Sequence, residues 1–251
     1  MVKKDFDFDS IKKLSFQGVS IGPTILSSIQ RENKLGSPNL STENSRKEVK
    51  KKLPLILEWV IASKKLISTE KPDLVLLIEA NDWNKPLVEN CVRLNIDVIQ
   101  FVQPFRDDAF IFKRLNKYNI GINPNSIDRH RLFEIAENKF SNLHQERLDK
   151  EFYDRYSGKW FMQKRNTPKN HFQTKSSLIS MLNLNPNKKI AAIFSHILWD
   201  SNLFYGEDIY RDYSEWFIET VKIAIRNIEI TWILKLHPAN IWKRNFETET
   251  G

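Results

Sequence analysis

The sequence predicts an α/β protein, with one Rossmann-like strand–helix–strand unit followed by the opening part of a second. Two pairs of short apolar runs carry that prediction: DLVLLI at 73–78 with IDVIQFV at 96–102, and KIAAIFS at 189–195 with ITWILKL at 230–236. Continuous runs of this kind mark strands buried on both faces of a parallel sheet, and a helical segment separates the members of each pair. A polar stretch at 157–175 divides the two halves. The expected organisation is therefore a first domain over 1–156, a connector over 157–175 and a partial second domain over 176–251.

Taken in order, residues 14–22 (LSFQGVSIG) read as a strand entering a loop, with Gly18 and Gly22 permitting close backbone approach. Residues 31–45 carry Gly36, Ser37, Pro38 and Asn39 and read as a surface loop. A helix over about 46–67 has Leu53, Leu57, Val60, Ile61 and Lys64 at helical spacing, and Pro54 is expected to end or kink its first part. After the 73–78 strand, NKPLVENCVRLN is helical and leads to the 96–102 strand. Residues 109–115 add a further strand, and 127–156 read as helices. Beyond the connector come the helix TKSSLISMLNL, a turn at Asn185–Asn187 and the 189–195 strand. A helix over 212–226 follows, with Ser214 as its cap and Phe217, Val221, Ala224 and Ile225 on one face. The last strand, 230–236, ends at His237-Pro238.

At 251 residues, 41% hydrophobic and 28% charged, the chain has an ordinary globular balance. No apolar run reaches the roughly 20 residues that a membrane span needs. The N-terminal MVKKDFDFDSIKK has lysines but no apolar segment behind them, so no signal peptide is expected. Cys91 is the only cysteine, which excludes an internal disulfide and fits a reducing, cytoplasmic setting. The net charge of +8 admits nucleic acid, an anionic membrane surface or a phosphorylated substrate as partner. Its densest run, RKEVKKK at 46–52, reads as a solvated helix face rather than a binding patch. The basic, aromatic-rich stretch 159–175 reads as connector, since no zinc spacing or RNA-binding motif accompanies it.

Ligands in open parallel sheets bind beyond the carboxyl ends of the strands. In the first unit those ends carry Glu79, Asn81 and Asp82, then Gln103, Arg106 and Asp107. In the second, His196 directly follows one strand and His237 the next. If the two strands are neighbours, both imidazoles open onto one crest. Lys235, two residues before His237, shares its face, while Asp200 and Trp199 come from the loop after His196 and Asn240 from the start of the helix expected after His237. Such a crest suits an anionic nucleotide. A His-Pro can equally be plain strand termination with the ring capping the next helix, and spacing leaves both readings open. The sequence has no GxGxxG, Walker A, HExxH, Gly-x-Ser-x-Gly or paired-cysteine metal motif. No metal site is expected. His130, His144 and His171 read as surface residues.

The C-terminal SHILWDSNLFYGEDIYRDYSEWFIETVKIA and ITWILKLHPAN resemble bacterial capsule and surface-polysaccharide glycosyltransferases of the GT-B class. The N-terminal FQGVSIGPTILSSIQRE and KPDLVLLIEANDWNKP are similar to the acceptor-side domain of the same proteins. The resemblance implies a GT-B-like fold and transfer of a sugar from a nucleotide-sugar donor to a glycan or lipid-linked acceptor. His237 would then act on the donor phosphate or the leaving group. Lys235, Asn240, His196 and Asp200 would border the donor, and Asp82 or Glu79 would be the general base. No cofactor is implied. Peripheral contact with the inner face of the plasma membrane is expected, because such acceptors are often lipid-linked. The family's second domain continues well past His-Pro, so the chain is expected to be C-terminally truncated, with a non-catalytic remnant or one half of a split protein as the alternative.

Overall fold

A computed structural model of the chain describes residues 7–34, 36–104, 109–157, 174–200, 203–206 and 209–237. By internal contacts these group into two units, one drawn from 1–101, 112–123 and 187–251, the other from 102–111 and 124–186. Most of the expected 157–175 connector lies outside the described residues.

The first unit opens with α1 (Phe8–Lys12) and a two-stranded antiparallel hairpin, β1 (Ser15–Phe16) and β2 (Val19–Ser20). Its turn is Gln17-Gly18, with φ of 50° and 79°, the left-handed pair that a tight hairpin requires. The expected single strand is thus a hairpin. It leads directly into α2 (Gly22–Asn33), which the sequence reading passed over. Gly22 is required there because a Cβ would meet the carbonyl of Ile11. Pro23 sits in the first turn, where its missing N–H costs nothing.

The long helix α3 (Glu43–Glu70) begins at the N-cap Thr42 and continues past Pro54, so the helix does not end there. Pro54 is exposed, so the backbone carbonyl it leaves without an amide partner faces water. The buried stripe is Val49, Lys52, Ile56, Val60, Ser63 and Ile67, in steps of three and four residues. It is rotated from the expected stripe: Ile61 and Lys64 are exposed. Two polar members obscured it. Lys52 pairs with Glu32 of α2, and the Ser63 hydroxyl accepts from Asn90 Nδ2 at 2.8 Å.

The strand-helix-strand reading of the first unit stands. β3 (Leu74–Leu77) pairs in parallel with β4 (Asp97–Val102), with Leu74 opposite Asp97. The helix α4 (Lys85–Arg93) lies between them in sequence, and β5 (Ile111–Leu115) completes a sheet of order β3-β4-β5. The expectation that 73–78 is buried on both faces is corrected: Val75 and Leu77 are half-buried, whereas Leu74, Leu76 and Ile78 are exposed. Helices cover one face only, and Ile67, Val88, Cys91, Val98 and Leu115 form the core beneath it.

The second parallel pair, also in this unit, is β6 (Lys189–Phe194) with β7 (Ile230–Lys235), joined through a further helix over Tyr213–Ala224. The cap of that helix is Asp212, which accepts from the Glu215 N–H at 2.9 Å, and not Ser214 as expected. Asp212 also accepts from Ser37 N–H at 2.6 Å, tying the 36–42 loop to this helix. Ala224 is buried on the expected face, but Ile225 lies past the helix end and is exposed.

The other unit holds α5 (Arg129–Glu137), α6 (Asn142–Tyr156) and α7 (Lys175–Met181). Asp128 caps α5, and Ser141 with His144 makes a capping box on α6. His130 and His144 are exposed, while His171 lies outside the described residues. Among the described residues no helix is long and apolar enough to cross a membrane. Among the described residues the architecture is mixed α/β with three small sheets and no barrel.

Candidate functional site

Beyond β3 the chain turns sharply through Asp82, whose φ of 48° lies in the left-handed region that aspartate tolerates better than most residues. Helix α2 holds it there. Ser27 Oγ donates to Asp82 Oδ1, Arg31 Nη2 lies 2.5 Å from Oδ2, and Thr24 Oγ1 donates to the Asp82 carbonyl at 3.3 Å. Thr24, Ser27 and Arg31 stand three and four residues apart, so one face of α2 supplies all three contacts. Glu79 is exposed, and its carbonyl accepts from Asn84 Nδ2 at 3.0 Å. Arg106 and Asp107 lie outside the described residues.

At the second sheet, Phe194 stands opposite Lys235, and the pairing continues one step further. Ser195 N–H donates to the Lys235 carbonyl at 2.9 Å, and His237 N–H donates to Ser195 Oγ at 2.8 Å. His196 and His237 therefore leave adjacent parallel strands at the same level, both exposed. The His196 ring stacks on Tyr213 at 4.1 Å and 22°. Its Nδ1 lies 3.1 Å from the Ile197 carbonyl. Lys235 Nζ stands 5.9 Å from the ring of Phe194, its cross-strand neighbour. Asp200 is half-buried in the turn after His196, where its N–H donates to the Ile197 carbonyl at 3.3 Å. Asn240 lies outside the described residues. Replacing Ser195 by alanine removes the link between the two strand ends; urea melts are expected to show a loss of about 1 kcal/mol.

The residue that sequence reasoning missed is Tyr205. Burial first, then the charges of Glu79, Asp82 and Asp200, push its phenol from 10.0 up to about 12. One hydroxyl thus feels carboxylates from the strand ends of both βαβ units. It is held there by its neighbours: Leu203 and Phe204 are buried in the core that contains Ile25, Leu26 and Ile29 of α2. The signal available in sequence was the apolar triplet Leu203-Phe204-Tyr205 in the loop after β6. Because the folded phenol keeps its proton after an unfolded one has lost it, this contribution to stability is complete below pH 10.0 and is lost as pH rises through about 12. Alkaline difference absorbance should show one late tyrosine transition that Tyr205→Phe removes.

Chemically, the two crests offer different things. The β6–β7 crest presents imidazoles and an ammonium to an anion, and the β3 end presents carboxylates that accept protons. Among the described residues no cluster of three His, Cys, Asp or Glu side chains is arranged to hold a metal ion. No family model, curated protein or solved structure matches this chain.

Proposed function

We propose that the chain is a glycosyltransferase of the GT-B class, or the N-terminal part of one, acting from a nucleotide-sugar donor onto a surface polysaccharide or lipid-linked glycan. The observation that carries the reading is Tyr205, a buried phenol that feels the charges of Glu79 and Asp82 from one strand end and of Asp200 from another. An acceptor hydroxyl there has Glu79 and Asp82 as proton acceptors. As the hydroxyl oxygen bonds to the anomeric carbon, its proton passes to a carboxylate, the bond from that carbon to the donor phosphate breaks, and the negative charge stays on the departing nucleotide. His196, His237 and Lys235 face that charge from the second crest. With a lipid-linked acceptor the protein works at the inner face of the plasma membrane.

Calorimetric titration with CMP-, UDP- and GDP-sugars tests the reading. One donor class is expected to bind, and His237→Ala and His196→Ala are each expected to weaken it about tenfold, which is about 1.4 kcal/mol. If no donor binds the intact protein, the reading fails.

A second reading has its own support. The β6–β7 sheet has only two strands among the described residues, and Phe194, Ile218, Ile223 and Ile228 around it are exposed. Such a sheet suits one half of a split protein whose remaining strands come from a partner chain. A coding frame beyond Gly251 that resumes with strand and Ser/Thr-turn signals would support it, and the absence of one would favour a non-catalytic remnant.

A further inference from the structure

We infer that α3 carries a self-pairing seam, along which two copies of this chain join antiparallel into a weak dimer. The helix has two apolar stripes, and its own fold covers one of them. Val49, Ile56, Val60 and Ile67 are buried in the cores of the first unit. Leu55, Trp59, Ala62 and Leu66 form the other, in steps of four, three and four residues, the spacing by which one helix packs along another. Leu55 and Leu66 are 48% and 47% exposed, Ala62 is exposed and Trp59 is half-buried. Trp59 Nε1 donates to the Trp83 carbonyl at 2.6 Å, which fixes the indole on the stripe, and Trp83 beside it is exposed.

The charges beside the stripe point to a second copy as its occupant. Glu58 and Lys65 flank it on the side away from the core, seven residues apart, and both are exposed. On α3 no opposite charge stands three or four residues from either, so neither finds a partner along the helix. A twofold axis between residues 60 and 61 sets Trp59 of each copy opposite Ala62 of the other, a large side chain against a small one. It also sets Leu55 opposite Leu66. The same operation brings Glu58 of each copy beside Lys65 of the other, so the ion pair forms twice. A parallel pair would instead put like charges at one level. The stripe is only about 18 Å long. One helix pair of that length falls below the roughly 800 Å² per partner of a standard interface, so the dimer is expected to be weak and reversible.

Sedimentation velocity of the intact chain over a concentration series tests the seam. A monomer–dimer equilibrium in the micromolar range is expected, and Leu66→Glu should remove it. Glu58→Lys and Lys65→Glu should each weaken the dimer at least about tenfold, because both pairs across the seam become repulsive. An equimolar mixture of these two variants should recover it, since opposite charges then face each other again. The three positions are exposed, so the variants should fold, and far-UV circular dichroism checks that they do. Should Leu66→Glu fail to fold, Leu55→Glu takes its place. The inference is overturned if the wild type stays monomeric to millimolar concentration, or if Leu66→Glu or either charge variant dimerises like the wild type. It is also overturned if the mixture stays as weak as its components, the outcome expected when a different chain covers the stripe or the copies meet elsewhere.

Discussion

Phe204→Ala is expected to lower the stability of the chain by about 3–5 kcal/mol, the usual cost of emptying a phenylalanine site in a packed core. The residue is 5% exposed and packs in the cluster that holds Ile25, Leu26, Ile29, Val49, Ile56 and Val60. It reaches this core from the loop after β6, so its ring anchors the segment that carries Asp200 and Tyr205. Urea denaturation measures the stability loss. Alkaline titration of the folded variant gives an independent readout: the phenol of Tyr205 should ionise below its native value of about 12 as it gains access to water. A stability loss under 1 kcal/mol would mean that the loop is not held by this contact.

The second large effect is expected at Glu89. Its side chain is 14% exposed and lies 3.7 Å from Lys85 Nζ, itself 7% exposed. Glu89 also accepts from Ser20 N–H at 2.7 Å, joining α4 to β2, while Lys85 donates to the Ile120 carbonyl at 3.0 Å. Glu89→Ala leaves an ammonium buried beside an unsatisfied amide, and breaking such a pair from one side typically costs about 3–5 kcal/mol. The double change Lys85→Met with Glu89→Leu should recover most of that loss, because it removes both desolvated charges.

Burial, the leading cause, raises the Glu89 pKa; Ser20 N–H, Lys85 and Arg93 oppose it. Burial likewise lowers that of Lys85, against the pull of Glu89. The folded chain therefore holds a proton on Glu89 at pH values where the unfolded chain has released it. That contribution is complete below the ordinary carboxylate value of 4.5 and is lost as pH rises through the raised one. Lys85 behaves in the opposite sense, contributing above 10.5 and losing that contribution as pH falls through its lowered value. Against Glu89→Gln, which does not titrate there, the wild type should lose ground as pH rises through the acidic window. An unchanging difference between the two would remove the burial argument.

The parallel pairs were legible because uninterrupted apolar runs with a helix between them have few other solutions. α2 was not, although Ile25, Leu26 and Ile29 and a first-turn proline lie within it. Its serines, threonine and glutamine dilute the apolar period, and they are buried because they face Asp82 and the core rather than water. The stripe of α3 was displaced for the same reason. Lys52 and Ser63 read as solvent residues until Glu32 and Asn90 are seen beside them. The exposed face of β3 went unread because hydrophobicity alone does not say whether a second layer of helices covers a strand.

Glu79 and Asp82 at one strand end, and His196 and His237 at two others, could be named from the linear chain, since local order assigns a residue to a strand end. Their grouping could not. That Asp82 faces Thr24, Ser27 and Arg31, and that Asp200 shares the surroundings of Tyr205 with residues more than a hundred positions away, are results of packing. Local preference acts over one turn of helix or one strand pair. Burial of Leu203 and Phe204 among the helices of the first unit is a long-range choice, made by the apolar surface it removes from water, and it sets Tyr205 where it feels the charges of those carboxylates.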